Sequence, residues 1–442
     1  MTHLSPVDFE RVRVLFPDHL GLARGKYLPP ELVPNGTGHS AALFALGYDR
    51  SMIPAPGSYL LEGLIDVHAT FDPQTLRHSW EDHRTGIAIA DLTLDGVPYP
   101  VAARHVLKQA ITEFAELGYS VDVGVETEAY LLQPDDDGGW ERYENPRALV
   151  YGTGIGNDPE GVIDAIMTVA VECGFRLESI NAEFDESQYE LTLQYSDALA
   201  AADEIFLFRT LAREVALASG LDLTFLGKPF PDISGSGIHV NMSLVDARGR
   251  NAFEDTKSED GLSELARQAI AGLCVHHQAL TAVSAPTVNA YRRLQPAQLA
   301  GYWANWGYDH RCVATRVPPA RGAGTRIESR VGDGAANIHL AVAAVLTAAR
   351  LGITGALDCP PAETGDGFEE ANTDICAPAN LSEALDQLEA DTEFFDAFGR
   401  DCAENFVANK RAEWDRFIAA EGAFDGTGPI TAWERREYLM YH

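Results

Sequence analysis

Gly124-Val-Glu-Thr-Glu-Ala-Tyr-Leu-Leu132 is the stretch from which the fold can be read. Side chains alternate faces along a strand, so Glu126 and Glu128 share one side, about 7 Å apart, while Val123, Val125 and Ala129 share the other. The pattern recurs outward along the chain. Gln188 and Glu190 share a face opposite Tyr189 and Leu191. His239, Asn241 and Ser243 oppose Val240, Met242 and Leu244, and Arg326, Glu328 and Arg330 again fall on one side. Two glutamates two apart are usually a solvated face, and a lone histidine is usually a satisfied core residue. Recurrence at four places argues instead for one sheet, apolar behind and ionic in front, lining a polar cavity. Carboxylates gathered there repel unless cations lie between them, and oxygen-rich ligation suits Mg²⁺ or Mn²⁺. Glu126, Glu128, Glu183, Glu190, His239 and Glu328 are the candidate ligands.

With 442 residues the chain can bury a large core and form two domains. The opening MTHLSPVDFERVRV carries charges where a signal peptide needs an apolar run, which points to a cytoplasmic protein. The longest apolar stretch, Leu340–Leu351, is interrupted by Arg350 and too short to span a bilayer. Six scattered cysteines form no metal-finger spacing. The net charge of −33 leaves no basic footprint for nucleic acid or anionic membrane, and most of the acids must be surface.

Residues 8–100 are rich in strands and turns, with Asp95-Gly96 a two-residue hairpin signal between Ile87–Leu94 and Val97–Tyr99. A helix is expected over Ala102–Leu117, stopped by Gly118, and this change near residue 100 sets the expected domains as 1–100 and 101–442. Further helices are expected over Pro159–Cys173, Ser196–Ser219, Ser263–Ala282 and Ala335–Leu351, and throughout the region after Leu381. Glu363–Asp374 reads as an exposed acidic loop. No GxxxxGK[ST] is present, and GTGIG at 152–156 lacks the dinucleotide spacing.

Arginines crowd the third quarter: Arg292, Arg293, Arg311, Arg316, Arg321, Arg326 and Arg330, among Tyr291, Trp303, Trp306 and Ile327. Buried arginines need anionic partners, and guanidinium groups clamp carboxylates and phosphates through paired hydrogen bonds. Arginines facing carboxylate-bound cations make a two-metal phosphoryl-transfer site acting on an acid.

The chain resembles the glutamine synthetase superfamily over nearly its whole length. The landmarks, in order, are FPDHLGLARGKYLP, GVETEAYLL, the block from Glu183 to Glu190, KPFPDISGSGIHVNMSL, NAYRRLQP, WGYDHRCVATRVP, RIESRVGDGAANIHLAVAAVL and TAWERREYLMY. The resemblance implies an α+β protein: an N-terminal β-grasp domain, then a catalytic domain with a curved antiparallel sheet flanked by helices. It also implies a homo-oligomer, a dodecamer of two stacked hexameric rings with each site between neighbouring subunits. ATP and glutamate are the implied substrates. By the same resemblance, Glu128, Glu183 and Glu190 hold the metal nearer the acid, and Glu126, His239 and Glu328 hold the metal on the nucleotide phosphates. Arg293, Arg330 and the backbone of Gly235 would hold glutamate, and Arg311 the transferred phosphoryl group. Arg316, Arg326 and Ser243 would contact nucleotide, with Asn241 beside them. Asp49 would be the acid that a neighbouring subunit offers to ammonium.

The departures are as informative. Ammonia-using members carry a glutamate in a segment like RLVPGYEAP; here the segment is RRLQPAQLAG and the position is Leu299. Leucine can neither attract a cation nor accept a proton. Asn241 replaces a second histidine, Ser234 an asparagine and Ser187 a glycine of the family pattern. These features point to an ATP-dependent γ-glutamyl–amine ligase using a primary amine larger than ammonia, in the γ-glutamyl-amine branch of the family. The alternatives are glutamine synthesis with Asp49 or another residue replacing the missing acid, and a catalytically silent scaffold. The complete ligand set argues against the last, because buried carboxylates without cations are costly.

Overall fold

The computed structural model describes residues 4–442. Seven strands form the first sheet: β1 (Arg11–Pro17), β2 (Ala23–Leu28), β3 (Thr37–Ser40), β4 (Asp66–Phe71), β5 (Arg77–His78), β6 (Thr85–Leu94) and β7 (Val97–Pro98). Their order is β2-β1-β6-β4-β3, with β5 and β7 also on β6; β1 and β6 run parallel. Asp95 (φ 51°) and Gly96 (φ 80°) make the tight turn into β7, the left-handed pair that such a hairpin needs. Alternation splits this sheet between two cores. Val12, Val14, Ala88 and Ala90 pack among themselves and with Val67, whereas Leu15, Ile87 and Ile89 face the main core of the protein.

Helix α1 (Ala103–Glu116) leads into β8 (Tyr119–Pro134), a strand of 16 residues. Around it follow β9 (Trp140–Arg142), α2 (Val162–Glu172), β10 (Leu177–Ala182), β11 (Gln188–Leu193), β12 (Ser196–Asp197), α3 (Ala198–Ala218), β13 (Asp222–Thr224) and β14 (Gly237–Asp246). After α4 (Glu264–Val275), α5 (His277–Ser284) and α6 (Ala290–Arg293) come β15 (Trp306–Tyr308), β16 (Thr315–Val317) and β17 (Ile327–Asp333). Helices α7 (Ile338–Thr354), α8 (Leu381–Ala390), α9 (Thr392–Glu421) and α10 (Ala432–Tyr438) finish the chain. The ten-stranded sheet is ordered β10-β11-β8-β14-β17-β16-β15, with β9, β12 and β13 on β8. All its pairings are antiparallel except β15 with β16.

On β8 the apolar side, Val121, Val123, Val125 and Ala129, is buried in the main core that includes residues of α1, α3 and α7. The acidic side is left facing outward into the concave front of the sheet. Two expectations need correction. The helix expected over 263–282 is broken at His276, whose Nδ1 lies 2.6 Å from Asp391, so α4 and α5 are separate. The segment Glu363–Asp374 is not simply an exposed loop. Glu363 is buried and accepts hydrogen bonds from the backbone N–H groups of Thr364, Gly365 and Asn372. Among the described residues no helix is long and apolar enough to cross a membrane.

Candidate active site

Strand register gathers the ligands. Glu190 on β11 is directly opposite Glu128 on β8, and His239 on β14 is directly opposite Glu126. Asn241 pairs with Glu328 on β17, which in turn pairs with Arg316 on β16. Five adjacent strands thus carry one ionic stripe. Two clusters form on it, each with ligand atoms within 4.8 Å of one another: Glu126, His239 and Glu328, and Glu128, Glu190 and His239. The first is the set expected for the nucleotide-side metal. The second contains two of the three residues expected for the other metal, with His239 standing where Glu183 was expected. Glu183 follows β10, its carboxylate 3.4 Å from Asn181 Nδ2, close enough to Glu128 to feel its charge.

The donors are carboxylate oxygens and one imidazole, and their electrostatics call for added positive charge. Burial, reinforced by Glu126, Glu183 and Glu128, pushes the Glu190 carboxyl up to about 7. Burial and Glu128 also raise Glu183. Glu126 goes the other way: burial opposes its ionisation, but hydrogen bonding to His239 and Asn241 brings it down to about 2. A hard divalent cation fits this set, because it would neutralise the side of the site where the carboxylates lack partners.

The arginines divide by role. Arg330 and Arg316 both hold Glu328, Arg316 at 2.9 Å, and Arg316 also pairs with Asp309. Arg293 is buried, and among the described residues its side chain donates only to the backbone carbonyls of Arg330 and Val331, each at 3.4 Å. Gly235 and Gly237 make room for it, since a Cβ at Gly235 would come within 2.6 Å of Arg293 Cγ and one at Gly237 within 2.4 Å of its Nη2. Gly235 also accepts from Gln188 Nε2 through its carbonyl. Arg292, the neighbour of Arg293, turns away to a buried bidentate pair with Glu434. Arg311 is exposed on the turn after β15.

Beside Glu126 a cleft of about 340 Å³ is lined by Ser243, Asn241, Arg326 and the loop Ala323–Thr325. Asn241 links the cleft to the ligands: it donates to Glu126 at 3.1 Å and accepts from Arg326 Nε at 3.0 Å. Tyr195, 65 % exposed at this cleft, was missed from sequence because nothing in its local pattern marks an isolated surface tyrosine. Ser187 has φ 61°, the left-handed region that favours the family's glycine, and its hydroxyl donates to the Tyr143 carbonyl at 2.7 Å.

Two expected residues stand apart from the clusters within one chain. Asp49 is held by Arg416 at 3.1 Å and by Ser51. Leu299 is 53 % exposed in the loop that precedes Gly301, and Gly301 packs on the backbone of Arg330 and Val331. The same loop is tied to the 363–377 segment, Ala297 N–H and Trp303 Nε1 both donating to the Phe368 carbonyl.

The model of the glutamine synthetase catalytic domain matches residues 100–438. A glutamine synthetase of Pyrococcus abyssi is 33% identical over 443 residues, covering 97% of this chain and 96% of the relative. One from Clostridium saccharobutylicum is 37% identical over 357 residues, 78% of this chain and 77% of the relative. Among solved structures, GmaS without ligand superposes with a TM-score of 0.81 at 32% identity, covering 98% of this chain and 97% of that one. A GmaS/ADP complex gives 0.82 at 30% identity, with the same coverage. Matched end to end in sequence and in fold, this chain belongs to the glutamine synthetase family.

Proposed function

We propose that the protein joins the side-chain carboxylate of glutamate to a primary amine larger than ammonia, at the expense of ATP. The observation that carries this reading is the pair of carboxylate–histidine clusters with Arg316 and Arg330 on Glu328, in a chain with Leu299 where ammonia users place an acid. The likeness to GmaS, a γ-glutamylmethylamide synthetase, favours it. The names of the curated relatives favour a second reading, glutamine synthesis from ammonia.

In the proposed reaction the nucleotide lies in the cleft of Ser243, Asn241 and Arg326, with Tyr195 offering its ring to the base. Glu126, His239 and Glu328 would hold one divalent ion, and Glu128, Glu190 and Glu183 a second. When bound, these ions neutralise phosphate and carboxylate oxygens and make the phosphoryl group electrophilic. Arg293 and Arg330 clamp the carboxylates of glutamate, with the backbone at Gly235 taking the amino group. The side-chain carboxylate oxygen attacks the γ-phosphorus of ATP, and ADP leaves. Arg316 would orient the nucleotide phosphates, and Arg311, exposed on its turn, would fold over the transferred group. The amine nitrogen then attacks the acyl carbon, phosphate departs, and a proton leaves the nitrogen. Leu299, with Tyr302 and Trp303 nearby in sequence, would offer the amine's carbon portion an apolar surface. In a ring assembly, Asp49 of an adjacent subunit would take the proton. Phosphate release from ATP with glutamate, measured across alkylamines, diamines, aromatic amines and ammonia, tests the proposal. It fails if ammonia is used as efficiently as any substituted amine.

A further inference from the structure

Away from the ionic stripe, a cavity of about 360 Å³ opens where the turn between β1 and β2 meets α3 and the segment after α10. Its walls are largely hydrocarbon: Phe206 and Leu217 from α3, with Phe225, Ile338 and Met440. Arg24, Arg209, Arg213 and Glu214 bring charge to the lining. Three of these are matched. Arg24 pairs with Asp18 at 2.7 Å, Arg213 with Asp222 at 3.2 Å, and Glu214 with Arg13 at 2.7 Å.

Arg209 is different. Among the described residues no carboxylate lies within ion-pair distance of it; its guanidinium donates to the Ala336 carbonyl at 3.1 Å and sits 4.6 Å from the centre of the Phe225 ring. Burial, with the charge of Arg213, lowers its pKa to about 10, which leaves it cationic at neutral pH. The carboxylate whose charge reaches it, Asp333, also acts on the buried Arg293, which feels Glu128 as well. Arg209 therefore faces the cavity with no carboxylate in ion-pair contact among the described residues. A buried charge left without its partner is expensive.

We propose that this cavity binds a small monoanionic carboxylate with a branched or aromatic hydrocarbon body. A guanidinium presents paired N–H groups that match a carboxylate, and one guanidinium without an ion-pair partner suits a monoanion better than a phosphate dianion. The size and the mostly apolar lining, with a few convergent polar groups, are those of a small-molecule site. The inference does not depend on the identity of the amine.

Isothermal titration of the full-length protein with 3-methylbutanoate tests it, with inorganic phosphate and the uncharged 3-methylbutanol as comparison probes. The expected result is binding of the carboxylate, with the alcohol and phosphate at least tenfold weaker. Arg209→Gln should weaken carboxylate binding tenfold or more. Leu217, 47 % exposed at the rim, can be enlarged without touching a charge, and Leu217→Trp should abolish binding by filling the mouth. If Arg209→Gln does not fold, the Leu217 variant decides. Absence of carboxylate binding to the wild type, equal affinity for phosphate or for the alcohol, or undiminished binding to Leu217→Trp overturns the proposal.

Discussion

Glu328 is almost fully buried between Arg316 and Arg330 and within 3.7 Å of His239 Nδ1, so its charge serves both the arginines and the first ligand cluster. Glu328→Gln keeps the shape and removes the charge, and phosphate release should fall at least a hundredfold, measured at saturating substrates. Arg330→Lys keeps a charge but loses the planar fork; the glutamate KM should rise tenfold or more with a smaller change for ATP, in steady-state assays. Leu299→Glu addresses the nitrogen donor. A hydrocarbon group resting on leucine gains about 0.8 kcal/mol per CH₂ buried. Three or four such groups favour the larger amine by roughly two orders of magnitude. Glutamate at 299 should narrow that preference, raising kcat/KM for ammonia and lowering it for the bulky amine. At this scale the sequence carries much of the site. Alternation on β8 and β14 tells which residues share a face, but not that Glu126 meets His239 or that Glu128 meets Glu190, because register depends on the partner strand. Glu363 was invisible for another reason: its partners are mainly backbone N–H groups of a turn that exists only once the loop has folded.

Helix α6 spans only Ala290–Arg293, yet it sends two adjacent arginines to opposite duties, since successive helical residues are about 100° apart. Arg293 goes to the site and Arg292 to Glu434, the residue that also closes the capping box of α10 with Thr431. Glu434→Gln should leave a buried guanidinium uncompensated and lower stability by about 3 kcal/mol, read from the denaturant midpoint. The double variant Arg292→Met/Glu434→Leu should recover part of that loss, because it removes both buried charges. Long helices with clear periodicity, such as α1 and α3, were legible to within a few residues. The break between α4 and α5 was not, since His276 carries no breaker signal and is fixed by Asp391 from more than a hundred residues away.

Across the whole molecule, burial holds several histidines neutral. His19 and His277 are both lowered to about 4, mainly by burial. An unfolded histidine titrates near 6.5, so between these values the folded protein binds fewer protons than the unfolded one. Stability from this source is complete above about pH 6.5 and is lost as pH falls toward 4, by on the order of 3 kcal/mol for each histidine. Denaturant midpoints at pH 7.5 and 5.0 should show this fall, and His19→Phe should make it shallower. The N-terminal sheet was harder to read than the helices, since β3 and β4 are short and carry exposed polar residues such as His68.

His239 belongs to both ligand clusters, with Nδ1 toward Glu126 and Glu328 and Nε2 toward Glu128. A neutral imidazole has a single free lone pair; its other nitrogen carries a hydrogen. The ring can therefore coordinate only one ion, and whichever cluster it joins, the other is left a donor short. If the ring binds through Nδ1, the vacancy on the opposite side falls to Glu183, at the edge of the β10–β11 hairpin. The first ion bound would therefore fix the tautomer of His239, and Glu183 would be the residue to complete the donors of a second.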